Sequence, residues 1–243
     1  MLIKTRGVVL QHFKYSETSL VVKIFTEELG LQSYMVKGSR SKKSKLKPAY
    51  FQPLTLLEMV VYHKENRQLH SVKEIKSAYS WRHIPFNIQK QTVILFLNEI
   101  LYKTLREEVP DKKLFEFIYN SLHWFDLEEE NFVNFHIFFL LHLSRFLGFF
   151  PKETPGITNA VFFDLKEGFF TPGQPVHPYY IEGDVAKDML FFLNRNIDSI
   201  KSFKYGTKRR RNLLDALVTY YQLHLPEMGK IKSLDILTAV IHG

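Results

Sequence analysis

The chain contains no cysteine. Disulfides and thiolate metal sites are therefore excluded outright, and the absence fits a reducing cytosol. Nothing in it reads as a membrane span. The most apolar stretch, residues 132–150, carries Asn134, His136, His142, Ser144 and Arg145, and an arginine near the middle of a span is costly in lipid. A buried helix of a soluble domain is expected there instead. The N-terminus, MLIKTRGVVLQHF, has neither a long apolar core nor a small-residue cleavage site, so no signal peptide is expected. There is no GxxxxGK[ST] loop and no GxGxxG, which removes the usual sequence support for ATP-driven chemistry and Rossmann dinucleotide binding. The GxSxG elbow and the HExxH helix are also missing. The ten histidines are scattered, and His136 and His142 fall on different faces of one helix. Glu128, Glu129 and Glu130 read as a helix start, where acids suit the macrodipole, rather than as a metal-binding cluster. No catalytic residue, metal or other cofactor is assigned.

What is present is a core and an uneven charge. Of 243 residues, 45% are hydrophobic and 15% aromatic, ample for one large or two small packed domains. Residues 1–80 hold 14 basic and 6 acidic side chains, whereas residues 81–243 hold 19 of each. The whole net charge of +8 thus sits in the first third. Its densest part is KGSRSKKSKLK, residues 37–47, with Lys37, Arg40, Lys42, Lys43, Lys45 and Lys47 and no acid. Glycine and serines separate the charges without helix or strand periodicity, so a loop is expected. A basic loop held on a sheet is suited to gripping a phosphate backbone. DNA, RNA and an anionic membrane surface are all open on this ground, as is a loop that merely aids solubility. A second basic group, Lys208, Arg209, Arg210 and Arg211, falls in the first turn of an expected helix, against the dipole. That is a local conflict with no structural return visible in the sequence, and such conflicts are often functional.

The periodicity changes once along the chain. Residues 3–13, 18–26, 31–37, 54–62 and 67–75 read as five short strands, with Leu20, Val22 and Ile24 on one face of the second. Five antiparallel strands in so short a span suggest a small barrel or sandwich, and the basic loop makes an oligonucleotide-binding OB barrel the specific expectation. From about Trp81 the period becomes 3.6. Val93, Phe96, Leu97, Ile100, Leu101 and Leu105 form one stripe, and Leu114, Phe115, Ile118 and Leu122 form the next after a start at Pro110 and Asp111. Residues 132–147 are apolar nearly all round, as in the central helix of a bundle, with Gly148 placed to end it. Residues 151–180 are a Pro/Gly-rich insert in which 161–164 and 168–171 pair as a hairpin. Helices resume at 183–194, 207–225 (capped by Thr207, with Leu213, Leu214, Leu217, Tyr220 and Tyr221 buried) and 233–241. The fold class is α+β: an OB barrel over 1–80, then a helical domain over 81–243.

At this point a family likeness emerges. GVVL from Gly7, YSETS from Tyr15, FTEELG from Phe25, VKGSR from Val36 and QPLTLLE from Gln52 resemble, in order, the barrel strands and basic loop of the RecO recombination mediators. FLGFFP from Phe146 resembles the end of that family's central helix, and KRRRNLL from Lys208 with KSL from Lys232 its C-terminal helices. The resemblance implies an OB barrel on a helical domain that binds single- and double-stranded DNA and anneals complementary strands. It implies partnership with RecR and with single-stranded-DNA-binding protein, whose place is given to RecA recombinase. It also implies a cytoplasmic, nucleoid-associated protein without enzymatic turnover. On this reading Lys37, Arg40, Lys42, Lys43, Lys45 and Lys47 contact phosphate, with Arg6 a further candidate. Lys208, Arg209, Arg210 and Arg211 receive the acidic C-terminal tail of single-stranded-DNA-binding protein. Many members carry a four-cysteine zinc site in the segment corresponding to 151–180. With no cysteine here, Phe162, Phe163, Phe169, Phe170 and Tyr179 are expected to hold the hairpin instead. The rival readings are a metal-dependent nuclease and a protein-only adaptor.

Overall fold

A computed structural model describes residues 1–37, 48–106, 109–153, 162–203 and 206–241. By compactness the chain divides into Met1–Asp126 and Leu127–Gly243. In the first unit, β1 (Leu2–Lys14), β2 (Leu20–Thr26), β3 (Gly30–Val36), β4 (Leu56–Tyr62) and β5 (Leu69–Ser77) close into a barrel in the order β1-β2-β3-β5-β4. Neighbours are antiparallel except β3 and β5, which run parallel. This is the OB-type architecture expected from the sequence.

The barrel interior follows from side-chain alternation. Leu20, Val22 and Ile24 point inward and meet Val9, Tyr34, Val36, Phe51, Leu57, Met59 and Val61. On β3 the inward set is Gln32, Tyr34 and Val36. Gln32 is tolerated inside because its Nε2 donates to the Leu29 carbonyl at 2.8 Å. Gly7 marks a close approach rather than an interruption of β1: it pairs with Thr26 on one side and Leu57 on the other, and a Cβ there would lie 2.6 Å from Ile24 Cγ2. The fourth strand begins two residues later than its pattern suggests. Leu54 adopts a φ of 58° and donates its N–H to the Val9 carbonyl. A leucine in the left-handed region costs roughly 1–2 kcal/mol, which complete burial of its side chain offsets.

The same unit contains α1 (Ile88–Thr104) and α2 (Lys112–Leu127, whose last residue falls in the second unit). Their predicted stripes are buried throughout. Asn87 caps α1 by accepting from Lys90 N, and Asp111 caps α2 by accepting from Leu114 N. The chain between β5 and α1 is tied to α2 by one carboxylate. Asp126, 0% exposed, accepts from Tyr79 Oη and Arg82 N on one oxygen and from His83 N and Ile84 N on the other, all at 2.8–2.9 Å. Buried Lys90 donates to the carbonyls of Phe125 and Asp126.

The second unit is built on α3 (Phe135–Phe146), α4 (Gly183–Leu193), α5 (Thr207–His224) and α6 (Ser233–Ile241). The expected apolar α3 is buried along most of its length. Two local expectations fail. Glu128–130 lie between α2 and α3 rather than in a helix; Glu128 accepts from Asn131 N and pairs with Lys201. The N-cap of α5 is Gly206, so Thr207 is already inside the helix and caps nothing.

The insert gains a strand that was not foreseen. β6 (Phe162–Asp164), β7 (Phe169–Thr171) and β8 (Tyr180–Glu182) form a sheet in the order β7-β6-β8. Alternation puts Phe163 and Phe170 inside, 4.7 Å apart between ring centroids, with Tyr220 of α5 edge-on to Phe163. Phe162 stacks edge-on against Tyr180, whereas Phe169 and Tyr179 are exposed. Gly168, at φ 77°, passes so close to Tyr220 that a Cβ would lie 2.9 Å from its hydroxyl. The residues present do not fit a four-thiolate zinc site. Among the described residues no group of three or more His, Asp or Glu is arranged to hold a metal, and aromatic packing fills the sheet's inner face. No helix of the described residues is long and apolar enough to cross a membrane.

Candidate nucleic-acid interface

The run at 37–47 continues directly from β3. Lys37 is exposed one residue beyond the strand; Arg40, Lys42, Lys43, Lys45 and Lys47 lie outside the described residues. Strand register adds two cations to that rim of the barrel. Lys14, at the end of β1, pairs with Leu20, and Leu20 pairs with Val36, the neighbour of Lys37. On the other side the parallel register pairs Met35 with Ser71, two residues before Lys73 of β5. Lys14 and Lys73 are both exposed. Neither stood out in the sequence, because single lysines on separate strands form no run. Only the pairing scheme brings them together.

Arg6 is placed differently. Its Nε and Nη2 grip both oxygens of Glu27 at 2.8 and 2.7 Å, and Nη2 also reaches Glu116 of α2. Its guanidinium lies 5.2 Å from the Phe115 ring centroid and 4.9 Å from that of Tyr119. Hydrogen bonding to Glu27 raises the arginine's pKa, and the same contact holds the Glu27 carboxyl below its usual range. Lys112 to Glu28, at 2.7 Å, runs parallel to this link. Arg6 therefore joins α2 to the barrel, and its charge is already matched by two carboxylates.

The second cluster divides. Arg209 grips buried Asp188 of α4 at 2.5 and 3.0 Å, and Arg210 Nε donates to Asn134 at 3.1 Å, whose own amide donates to the Phe203 carbonyl. Burial raises the Asp188 pKa even against the pull of Arg209. Two of the four cations thus have a structural return that the sequence did not reveal: they fix the start of α5 against α4 and the α3 N-cap. Lys208 and Arg211 are exposed. Arg211 makes only a long contact of 3.9 Å with Asp215, one helical turn on.

Residues 1–81 match the family model described as Recombination protein O N terminal, and residues 85–235 match Recombination protein O C terminal. The chain is 38% identical over 238 residues to DNA repair protein RecO of Bacteroides fragilis, covering 98% of each. It is 36% identical over 237 residues to the protein of that name from Phocaeicola vulgatus, again covering 98% of each. With the one from Flavobacterium psychrophilum it shares 38% over 244 residues and 99% of each chain.

Proposed function

This chain belongs to the RecO family of DNA repair proteins, and on that premise we propose that it is a non-enzymatic recombination mediator. It binds single- and double-stranded DNA through residues 37–47, anneals complementary strands, and with RecR helps load RecA onto DNA covered by single-stranded-DNA-binding protein. The observation that carries this reading is an acid-free run of six cations continuing from β3 of an OB-type barrel. Annealing requires two polyanions to approach with their bases free to pair. Lysines bonded to phosphate neutralise the backbone without reading sequence, so they meet both conditions. Lys14 and Lys73 extend the cationic rim, while Arg6 supports the fold. Binding to unrelated oligonucleotides is expected to be sequence-independent, with log K falling linearly against log salt, and complementary strands are expected to anneal faster in its presence. Salt-insensitive binding, or no acceleration of annealing, would sink the proposal.

The first turn of α5 is the proposed receptor for the acidic tail of single-stranded-DNA-binding protein. Exposed Lys208 and Arg211 are the residues to vary. Reversing Arg209 would crowd a third carboxylate against Asp184 and Asp188 and confuse binding with stability. Lys208→Ala with Arg211→Ala is expected to weaken tail-peptide affinity roughly tenfold and to leave naked-DNA binding unchanged. The reverse pattern would assign this turn to the DNA surface.

A further inference from the structure

Within Met1–Asp126 an open groove of about 660 Å³ lies beside the barrel, a volume in the range of small-ligand sites. Tyr50, Tyr79 and Trp81 supply ring surface, and Ile94 and Leu95 of α1 supply aliphatic surface. Gln52, Thr55, Ser77, Ser80 and Gln91 add amides and hydroxyls, and among the described residues no charged side chain lines it. The walls are well held. Tyr79 donates to Asp126 at 2.9 Å and meets Trp81 edge-on at 5.3 Å, and Leu54, in its left-handed conformation, fixes the turn between Pro53 and Thr55. Leu95 remains 41% exposed, and Phe86, next to the lining residue Pro85, is 86% exposed.

We propose that this groove receives an unstacked base of single-stranded DNA. The proposal rests on the polyanion-binding reading above and gives it a way to distinguish single strands from duplex. The lining decides between occupants. A nucleobase is flat, neutral and edged with donors and acceptors, which matches ring faces flanked by amides and hydroxyls. An acidic peptide would find no cation among the described lining residues. A cation for the adjoining phosphate stands outside the lining. Exposed Arg82 follows Trp81 directly. A duplex, with its bases paired and stacked, has none to offer the groove.

The chain contains only two tryptophans, so Trp124→Phe leaves Trp81 as the sole indole emitter. Oligothymidylate is expected to quench its emission, whereas an abasic phosphodeoxyribose strand of equal length and a duplex are not. Trp81→Ala is expected to lower oligothymidylate affinity roughly fivefold to a hundredfold without changing abasic-strand affinity, and Trp81→Phe to keep most of the binding. If oligothymidylate and the abasic strand bind equally and Trp81 emission stays unmoved, the groove is excluded while the polyanion site stands. If neither strand binds even at low salt, both readings fall together. Quenching by duplex as strong as by single strand overturns the proposal. So does quenching by an acidic peptide with apolar residues in place of DNA, which would make the groove a peptide site.

Discussion

Replacing Asp126 by alanine is expected to destabilise the first unit by about 3–5 kcal/mol, because it orphans four donors in a buried site. At this chain length the loss corresponds to a fall in melting temperature on the order of 10 °C. The two oxygens of Asp126 divide their work evenly: Tyr79 Oη and Arg82 N on one, His83 N and Ile84 N on the other. The isosteric change Asp126→Asn would not rescue it. An amide nitrogen facing Tyr79 and Arg82 lets the phenol rotate to accept, but it leaves the Arg82 N–H against another donor; in the opposite orientation both His83 and Ile84 lose their acceptor. Hydrogen exchange at residues 82–84 reads this locally, since those amides should exchange much faster in either variant. Burial alone would raise the Asp126 pKa, but its four hydrogen bonds carry it below the ordinary value. The folded state therefore holds its proton less tightly than the unfolded chain. The resulting stability is complete above the unfolded value of about 3.9 and is lost as pH falls through the lower folded value. The wild type should lose this increment only in acid, and Asp126→Asn should show a flatter acid limb. Unchanged exchange at residues 82–84 in both variants would show that the carboxylate does not hold that segment.

Most of the longer strands and helices were legible because they carry a clean period. Val22 and Ile24 alternate into the barrel, and the α1 and α5 stripes repeat at helical spacing. What stayed hidden depended on partners distant in the chain. Nothing near Asp126 announces that it receives the segment 79–84. Nothing near Arg209 or Arg210 announces Asp188 or Asn134, so a basic helix start looked functionally motivated throughout when half of it is also structural. β8 was missed for a similar reason: three residues are too short for a period to show, and they become a strand by pairing with β6. Lys14 and Lys73 needed the register of a closed barrel. The Trp81 groove needed three segments to converge. The basic run at 37–47 stands out by composition alone, and past Lys37 it lies outside the described residues.

That run is the subject of the second large effect. Changing Lys42, Lys43 and Lys45 to alanine is expected to weaken DNA binding for every sequence alike. Each lost phosphate contact removes a released counterion, worth about 0.7 in the slope of log K against log salt for single strands and about 0.9 for duplex. Three contacts should flatten the slope by roughly 2–2.7. Carried to about 50 mM salt, that is a loss of affinity of roughly several hundredfold to a few thousandfold, shrinking toward nothing as salt approaches about 1 M. Annealing should slow with it, because the two strands are no longer neutralised at the same surface. Fold stability should not change, since none of the three follows a core pattern in the sequence. The sign of the salt effect separates this from other causes. A base-stacking loss, as at Trp81, lowers affinity by a similar factor at all salt concentrations, whereas a lost phosphate contact changes the slope. A triple variant that binds less tightly with an unchanged slope would mean that these lysines act through something other than phosphate. An unchanged affinity and slope would remove residues 37–47 from the binding surface and leave Lys14 and Lys73 as the rim to test.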